Sequence, residues 1–180
     1  MFIGIEIPQE AKDLISNLCK KLPPFSFIKW VEKENLHITL RFLGETDKRT
    51  LIEEKMKEVG GKFTPFKVSL KGVGAFPSLK RASVIWVGIE EGKNFLKGLY
   101  LTLEDKIVQL GFKKEEREFT PHITLGRVKR GKYSLPEGID FSFGAFPVDK
   151  ITLFKSTLRK EGPIYEVLAK FPLIGGNPCL

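Results

Sequence analysis

The chain has 180 residues, with 30 lysines and arginines against 22 aspartates and glutamates, so its formal net charge is +8. Hydrophobic residues make up 42% and charged residues 29%, a balance that excludes a disordered tail and predicts a folded domain. The two cysteines, Cys19 and Cys179, are too few for a disulfide framework and favour a reducing compartment. No apolar run approaches the length of about 18 residues that a membrane helix needs, and the first residues lack a signal-peptide leader. We therefore expect a cytoplasmic protein with no membrane partner.

The predicted elements are short strands interleaved with three helices, judged from hydrophobic periodicity and from glycine and proline positions. In the first part of the chain we predict strands over 2–7, 27–31, 36–43 and 66–73, and helices over 8–22 and 47–59. In the second part we predict strands over 83–90, 139–143, 148–156 and 165–171, one opening after Pro121, and a helix over 93–110 that Gly111 ends. This alternation predicts an α+β fold.

The chain contains a duplication. The tetrapeptide HITL occurs at 37–40 and again at 122–125, and IGIE at 3–6 is matched by VGIE at 87–90. Two matches in the same order indicate a repeat rather than chance. We predict one domain over 1–180 built of two lobes with a pseudo-twofold axis. Each lobe is expected to be a mostly antiparallel sheet with outer helices, and the two flank a central cleft. The alternative is one continuous sheet without symmetry.

The two HITL motifs carry the candidate chemistry. Side chains alternate along a strand, so His37 and Thr39 share one face and an apolar set occupies the other; His122 and Thr124 repeat the arrangement. If the strands meet, one neutral and one protonated imidazole can act as base and acid, and the hydroxyls can donate to phosphate oxygens. With no third histidine and no acidic cluster nearby, we expect neither a metal nor a cofactor. Each motif alone is ordinary strand material, but both histidines of the chain occupy equivalent positions.

Basic residues near the motifs are candidates for phosphate binding. Strict alternation places Arg41 on the His37 face but Arg127 on the face opposite His122, and a bulge would be needed to bring Arg127 into the site. A basic rim that tracks an RNA backbone is expected at Arg81, Lys80, Lys129 and Arg130, with solvated surface charge as the alternative.

Aromatic residues are candidates for stacking on a base: Phe42, Phe76, Trp86 and Phe119. A position in the core is the favoured alternative for Trp86 and Phe42. Phe76 precedes Pro77 in a glycine-rich stretch and is the better candidate for a base contact.

The residues around both motifs resemble a known family. The segments NLHITLRFLGE (35–45) and TPHITLGR (120–127) are similar to the paired signatures of the 2H phosphoesterases, and most similar to the RNA 2′,3′-cyclic phosphodiesterases, also called 2′-5′ RNA ligase-like proteins. Residues 29–31 and 81–88 also resemble that family. The resemblance covers essentially the whole chain.

The resemblance implies a bilobed fold and a metal-free reaction that opens a terminal 2′,3′-cyclic phosphate of RNA to a 2′-phosphomonoester. It implies that His37 donates a proton to the leaving 3′-oxygen, that His122 activates water, and that Thr39 and Thr124 hold the phosphoryl oxygens. The family is also linked to reversible 2′-5′ ligation.

Two other functions stay open at this point: a non-catalytic module that binds RNA ends, and a phosphodiesterase for small cyclic nucleotides. We expect a monomer whose partner is RNA.

Overall fold

The structure is a computed structural model that describes residues 1–22, 28–129, 133–160 and 162–176. In chain order its elements are β1 (Phe2–Glu6), α1 (Gln9–Lys21), β2 (Ile28–Trp30), β3 (His37–Phe42), α2 (Arg49–Gly60), β4 (Phe66–Phe76), β5 (Val84–Ile89), α3 (Lys93–Gln109), β6 (His122–Val128), β7 (Ser142–Val148), β8 (Lys150–Leu158) and β9 (Pro163–Pro172). Short 3₁₀ turns at Lys33–Asn35 and Leu79–Arg81 precede β3 and β5.

Most of these bounds agree with the sequence prediction to within about two residues. Gly111 follows the end of α3 with a positive φ of 87°, as expected of a glycine that stops a helix. The strand predicted over 139–143 is wrong, because the observed strand is Ser142–Val148. Pro147 lies within β7, which is an edge strand, where a missing N–H is tolerated.

The strands form one antiparallel sheet in the order β7-β4-β5-β6-β3-β1-β8-β9, with β2 beside the second half of β6. Each HITL strand thus lies at the inner end of a group of four strands. These groups are β6-β5-β4-β7 in one half of the sheet and β3-β1-β8-β9 in the other. Within the described residues a single register pair, Ile38 with Ile123, joins β3 to β6. The α+β class and the mostly antiparallel pairing are confirmed, and the two predicted sheets are continuous through this pair.

The pairing register corrects one part of the duplication. Thr39 pairs with Gly4, and the equivalent Thr124 pairs with Trp86, so β1 and β5 correspond at an offset of 86 − 4 = 82 residues. The IGIE and VGIE match implies 87 − 3 = 84 and is therefore two residues out of register. Because side chains alternate with a period of two, this slip leaves every side chain on its correct face.

One face of the sheet is covered by helices, and the other carries the polar side chains of the motifs. On the helix-covered face, the side chains of Ile5, Ile38, Val87 and Ile123 are at most 2% exposed. They pack in one core with apolar side chains of all three helices, among them Leu99 of α3. The opposite side chains in the same strands, including both histidines, are left on the uncovered face. No described helix is long and apolar enough to cross a membrane.

Candidate active site

Each HITL strand contains a bulge at its leucine. In β3, Thr39 pairs with Gly4 and Arg41 with Ile3, which leaves Leu40 without a partner in β1. In β6, Leu125 is left over in the same way between the pairs that β6 makes with β5. An extra residue reverses the alternation of side chains beyond it. The fifth residue after each histidine therefore faces the cleft, and the fourth faces the core.

This bulge corrects the prediction for Arg41. Its side chain is buried, and its Nε lies 2.6 Å from Oε2 of Glu104 on α3. Its guanidinium also donates to the backbone carbonyls of Phe42 and Lys113. Arg41 contributes to the wall of the cleft, but its charge is paired with a buried carboxylate and is not directed at a ligand. Its counterpart in β6 is Gly126, on which the Trp30 ring packs so closely that a side chain would collide with it.

The equivalent bulge in β6, at Leu125, brings Arg127 into the cleft. Arg127 pairs with Val84 across β5 and lines the cleft together with His122 and Thr124. Burial lowers the pKa of His122 and raises that of Tyr165; the Arg127 charge adds to the first shift and opposes the second. The Arg127 guanidinium thus acts on side chains from both halves of the sheet. The sequence analysis required a bulge in β6 for Arg127 to reach the cleft, and the structure contains that bulge.

Both histidines are held in the same orientation. Nδ1 of His37 lies 2.6 Å from the carbonyl oxygen of Asn35, and Nδ1 of His122 lies 2.6 Å from that of Thr120. Since a carbonyl oxygen only accepts, Nδ1 carries the hydrogen in each ring and Nε2 is left for chemistry. In the resting site the Thr39 hydroxyl donates to Nε2 of His37 at 2.8 Å.

Aromatic rings surround each imidazole. The Phe2 and Tyr165 rings lie 4.8 and 5.4 Å from the His37 ring, centroid to centroid. The edge-on Phe76 ring lies 5.1 Å from the His122 ring. Trp86 stands behind Phe76 at 5.2 Å and packs tightly on Gly74, where no larger residue fits. These rings cover part of each imidazole.

Burial lowers the pKa of both histidines. The pKa of His37 falls from 6.5 to about 4, chiefly because the imidazolium would be desolvated; its bond to Asn35 opposes this shift, and the nearby charges of Lys12 and His122 add to it. Burial also lowers the pKa of His122, and the Arg127 charge lowers it further. The ordinary pKa of histidine would allow one neutral and one protonated imidazole at physiological pH. In the free protein both favour the neutral form at pH 7.

The two motifs line one cleft of about 500 Å³. The structure brings together in it the motif side chains, Arg127 and three of the four aromatic candidates, as follows: His37, Thr39, His122, Thr124, Arg127, Phe42, Phe76 and Phe119. The core position favoured for Phe42 is wrong, because its side chain is 59% exposed on the cleft face. Phe119 stacks on Tyr100 at 4.2 Å, so one side of its ring is already covered.

The described residues of the predicted basic rim do not line the cleft. Arg81 and Lys80 are on the 3₁₀ turn before β5 and do not line the cleft. Lys129 is exposed just beyond β6, and Arg130 lies outside the described residues. The position of the 79–81 turn relative to the motifs could not be predicted from the sequence.

Two residues of the site were missed. Asn35 uses its carbonyl for His37 and its side-chain amide, at 2.7 Å, for the carbonyl of Pro163. Tyr165, two residues further along β9, lies against His37. Asn35 directly precedes the first motif strand, which was an available signal. Tyr165 had none, because it is more than 120 residues distant in the chain.

The fold and the site define a phosphoesterase of the two-histidine type, and comparison with known proteins names the family. A family model described as LigT like Phosphoesterase matches the chain twice, over residues 5–86 and 87–165. The chain belongs to this LigT-like phosphoesterase family. The two matches divide the chain so that each contains one HITL motif.

Curated relatives match along nearly the whole chain. A protein of Methanocaldococcus jannaschii named RNA 2′,3′-cyclic phosphodiesterase is 42% identical over 180 residues, which cover 95% of this chain and 99% of the relative. A protein of the same name from Archaeoglobus fulgidus is 39% identical, with 95% and 98% covered.

Solved structures share the fold. A crystal structure of a Thermus thermophilus protein superposes with a TM-score of 0.85 at 30% identity, over 98% of both chains. LigT of E. coli, crystallised with 3′-AMP, superposes with a TM-score of 0.78 at 27% identity, over 96% of both chains.

Proposed function

We propose that this protein is an enzyme that hydrolyses the terminal 2′,3′-cyclic phosphate of RNA to a 2′-phosphomonoester. The observation that carries the proposal is the convergence of two His-x-Thr motifs and Arg127 on one cleft, with Nε2 of each histidine directed away from the backbone bond that orients its ring. The name shared by the curated relatives supports the cyclic phosphate as substrate. The complex of E. coli LigT with 3′-AMP supports a nucleotide as ligand.

The proposed reaction uses the two imidazoles as base and acid. The hydroxyls of Thr39 and Thr124 and the Arg127 guanidinium hold the two non-bridging phosphate oxygens. Nε2 of His122 takes a proton from water as the water oxygen bonds to phosphorus. The bond from phosphorus to the 3′-oxygen breaks, and the Nε2 hydrogen of His37 moves to that oxygen. The products are a 2′-phosphate and a 3′-hydroxyl.

The acid role of His37 depends on the substrate. In the free protein burial holds its pKa near 4, so the ring is neutral at pH 7. A bound phosphodiester brings a negative charge into the same cleft, and an opposite charge at close range favours the protonated ring. The phosphate therefore draws in the proton that His37 later delivers. The Thr39 hydroxyl, which occupies Nε2 in the resting site, turns toward a phosphate oxygen.

We further propose that the protein is a cytoplasmic monomer, one domain of two lobes that each contribute a motif, and that it needs neither a metal nor a cofactor. The double match of the family model supports the two-lobed organisation. Two imidazoles account for both proton transfers, and among the described residues no three metal-ligating side chains cluster together. The small number of cysteines supports the reducing compartment.

The test is incubation with an oligonucleotide that ends in a 2′,3′-cyclic phosphate, with and without EDTA, followed by identification of the product isomer. We expect complete conversion to the 2′-phosphate in both samples. If the protein binds the oligonucleotide without turnover, it is a non-catalytic module that binds RNA ends. Loss of turnover in EDTA would contradict the metal-free mechanism. Addition of a 5′-hydroxyl oligonucleotide tests for the reverse reaction, a 2′-5′ joined product.

A further inference from the structure

At one end of the cleft lies a group of cations that form no ion pair among the described residues. Lys29 in β2 is the direct cross-strand partner of Arg127 in β6, so both side chains point to the cleft face. Lys29 is exposed, and its Nζ lies against the turn between β8 and β9, where a side chain at Gly162 would meet it at 3.5 Å. Arg159 and Lys160 in that turn are also exposed. We call Lys29, Arg159 and Lys160 the basic ridge.

The basic ridge has no acidic partners within the part of the chain that the structure describes. Many other cations of this protein are paired, as Lys97 is with Glu118 at 3.4 Å and Lys106 with Glu58 at 2.8 Å. The ridge cations and Arg127 form no such ion pair among the described residues. Among the described residues the cluster carries one sign, and Glu161, which follows Lys160 in the chain, lies outside them. An excess of one sign beside a site favours an anionic partner over simple solubility, for which mixed signs serve better.

The opposite end of the cleft carries mixed charge. Glu115, Arg117 and Glu118 line it there, on the segment that follows α3, and Glu118 is paired with Lys97. An anionic chain seated with its end at the two histidines therefore meets opposing charges at this end and described cations without ion pairs at the Arg127 end. This difference in charge favours the Arg127 end as the exit.

The ridge also presents apolar surface. The outer part of the β8–β9 hairpin extends beyond β1, whose pairing with β8 covers only residues 152–154. At its tip Leu158 is 84% exposed and Ile164 is 49% exposed. Leu158 points to the same side as Tyr165, the ring that lies on His37. Ile164, which pairs with Thr157, points to the other side. Cations beside an exposed apolar side chain are suited to a single strand, whose phosphates need charge and whose bases need contact surface.

We propose that the RNA strand bearing the cyclic phosphate leaves the cleft past Arg127 and runs over the basic ridge, between β2 and the β8–β9 turn. This inference rests on the proposed function and specifies its substrate: an RNA strand of several nucleotides, not a mononucleotide. The terminal phosphate occupies the histidine site, and the phosphates on its 5′ side contact Lys29, Arg159 and Lys160.

The experiment compares two substrates, a single-stranded oligonucleotide ending in 2′,3′-cyclic phosphate and adenosine 2′,3′-cyclic phosphate. The variant carries Lys29→Ala, Arg159→Ala and Lys160→Ala together. The matched control carries Lys57→Ala, Lys62→Ala and Lys67→Ala, which removes three lysine charges that do not line the cleft.

For the ridge variant we expect kcat/KM on the oligonucleotide to fall about 10- to 100-fold, while kcat/KM on the mononucleotide stays within about twofold. The slope of log kcat/KM against log salt on the oligonucleotide should become shallower by about 2, since three phosphate contacts are lost. The control variant should keep both values. Equal losses in the two triple variants, or a wild-type enzyme that shows no preference for the oligonucleotide, overturn the inference. If the wild type turns over neither substrate, the proposed function itself has failed.

Discussion

Arg127 in β6 and Phe42 in β3 hold equivalent positions, each five residues after a motif histidine and each turned to the cleft by an extra leucine. One half of the site thus offers a guanidinium where the other offers an exposed ring. The histidines are related by the duplication, but the charge beside them is not, because the guanidinium lies next to the second motif only.

The two arginines near the motifs should respond differently to substitution. Arg127→Gln should lower kcat/KM on the cyclic phosphate about 10- to 100-fold with little change in Tm, because it loses charge-assisted hydrogen bonds to the ligand. Arg41→Gln should instead lower the free energy of unfolding by about 3 kcal/mol, because it leaves Glu104 buried without its partner.

Steady-state kinetics and urea unfolding of both variants separate these roles. Arg41→Met combined with Glu104→Leu should recover most of the lost stability, since no buried charge is then unpaired. A large loss of stability in Arg127→Gln would contradict the assignment of Arg127 to the ligand.

The roles of the two histidines can be distinguished by the leaving group. His37→Ala and His122→Ala should each lower kcat about 10²- to 10⁴-fold with folding preserved. In a substrate in which sulfur replaces the 3′-oxygen, the leaving group is a thiolate, which needs no general acid. On that substrate His37→Ala should regain most of the wild-type rate, and His122→Ala should not. If only His122→Ala regained its rate on the sulfur substrate, His122 would be the acid and His37 the base.

The pH dependence should differ between kcat/KM and kcat. Reaction needs one protonated and one neutral imidazole, but burial lowers the pKa of both in the free protein, that of His37 to about 4. The protonated form is therefore lost as pH rises through the acidic range, and kcat/KM should fall across neutral pH. In the complex the phosphate raises the pKa of the acid, so the alkaline limb of kcat should lie about 1 to 3 pH units higher. Coincident limbs would show that the bound phosphate does not control His37.

Acid should destabilise the protein through His37. Its pKa is about 4 when folded and 6.5 ordinarily, so the unfolded chain binds more protons between these values. Stability is fully present above pH 6.5, falls as pH drops toward 4 and levels off below it, for a total of at most about 3 kcal/mol. Urea unfolding at pH 7 and pH 4.5 should show a smaller loss for His37→Gln than for the wild type. The same loss in both would mean that other groups dominate the acid response.

The sequence by itself determined a large part of this protein. Periodicity located the three helices and most strands, because those segments alternate or repeat in the usual way. The double HITL motif marked the site, since the only two histidines of the chain occur in it. Those residues also carried the resemblance to the family to which the chain belongs.

Tertiary structure decided which arginine faces the cleft and in which direction the pKa of each histidine shifts. The alternation rule holds only while every residue of a strand has a partner, and a bulge depends on the register with the neighbouring strand. Leu40 and Leu125 break the rule in that way, so that Arg41 turns to Glu104 and Arg127 to the cleft. The low pKa of His37 arises from burial beside Phe2 and Tyr165, which only the folded sheet brings to it. Desolvation and cross-strand pairing are properties of neighbours in space, and the order of residues along the chain does not contain them.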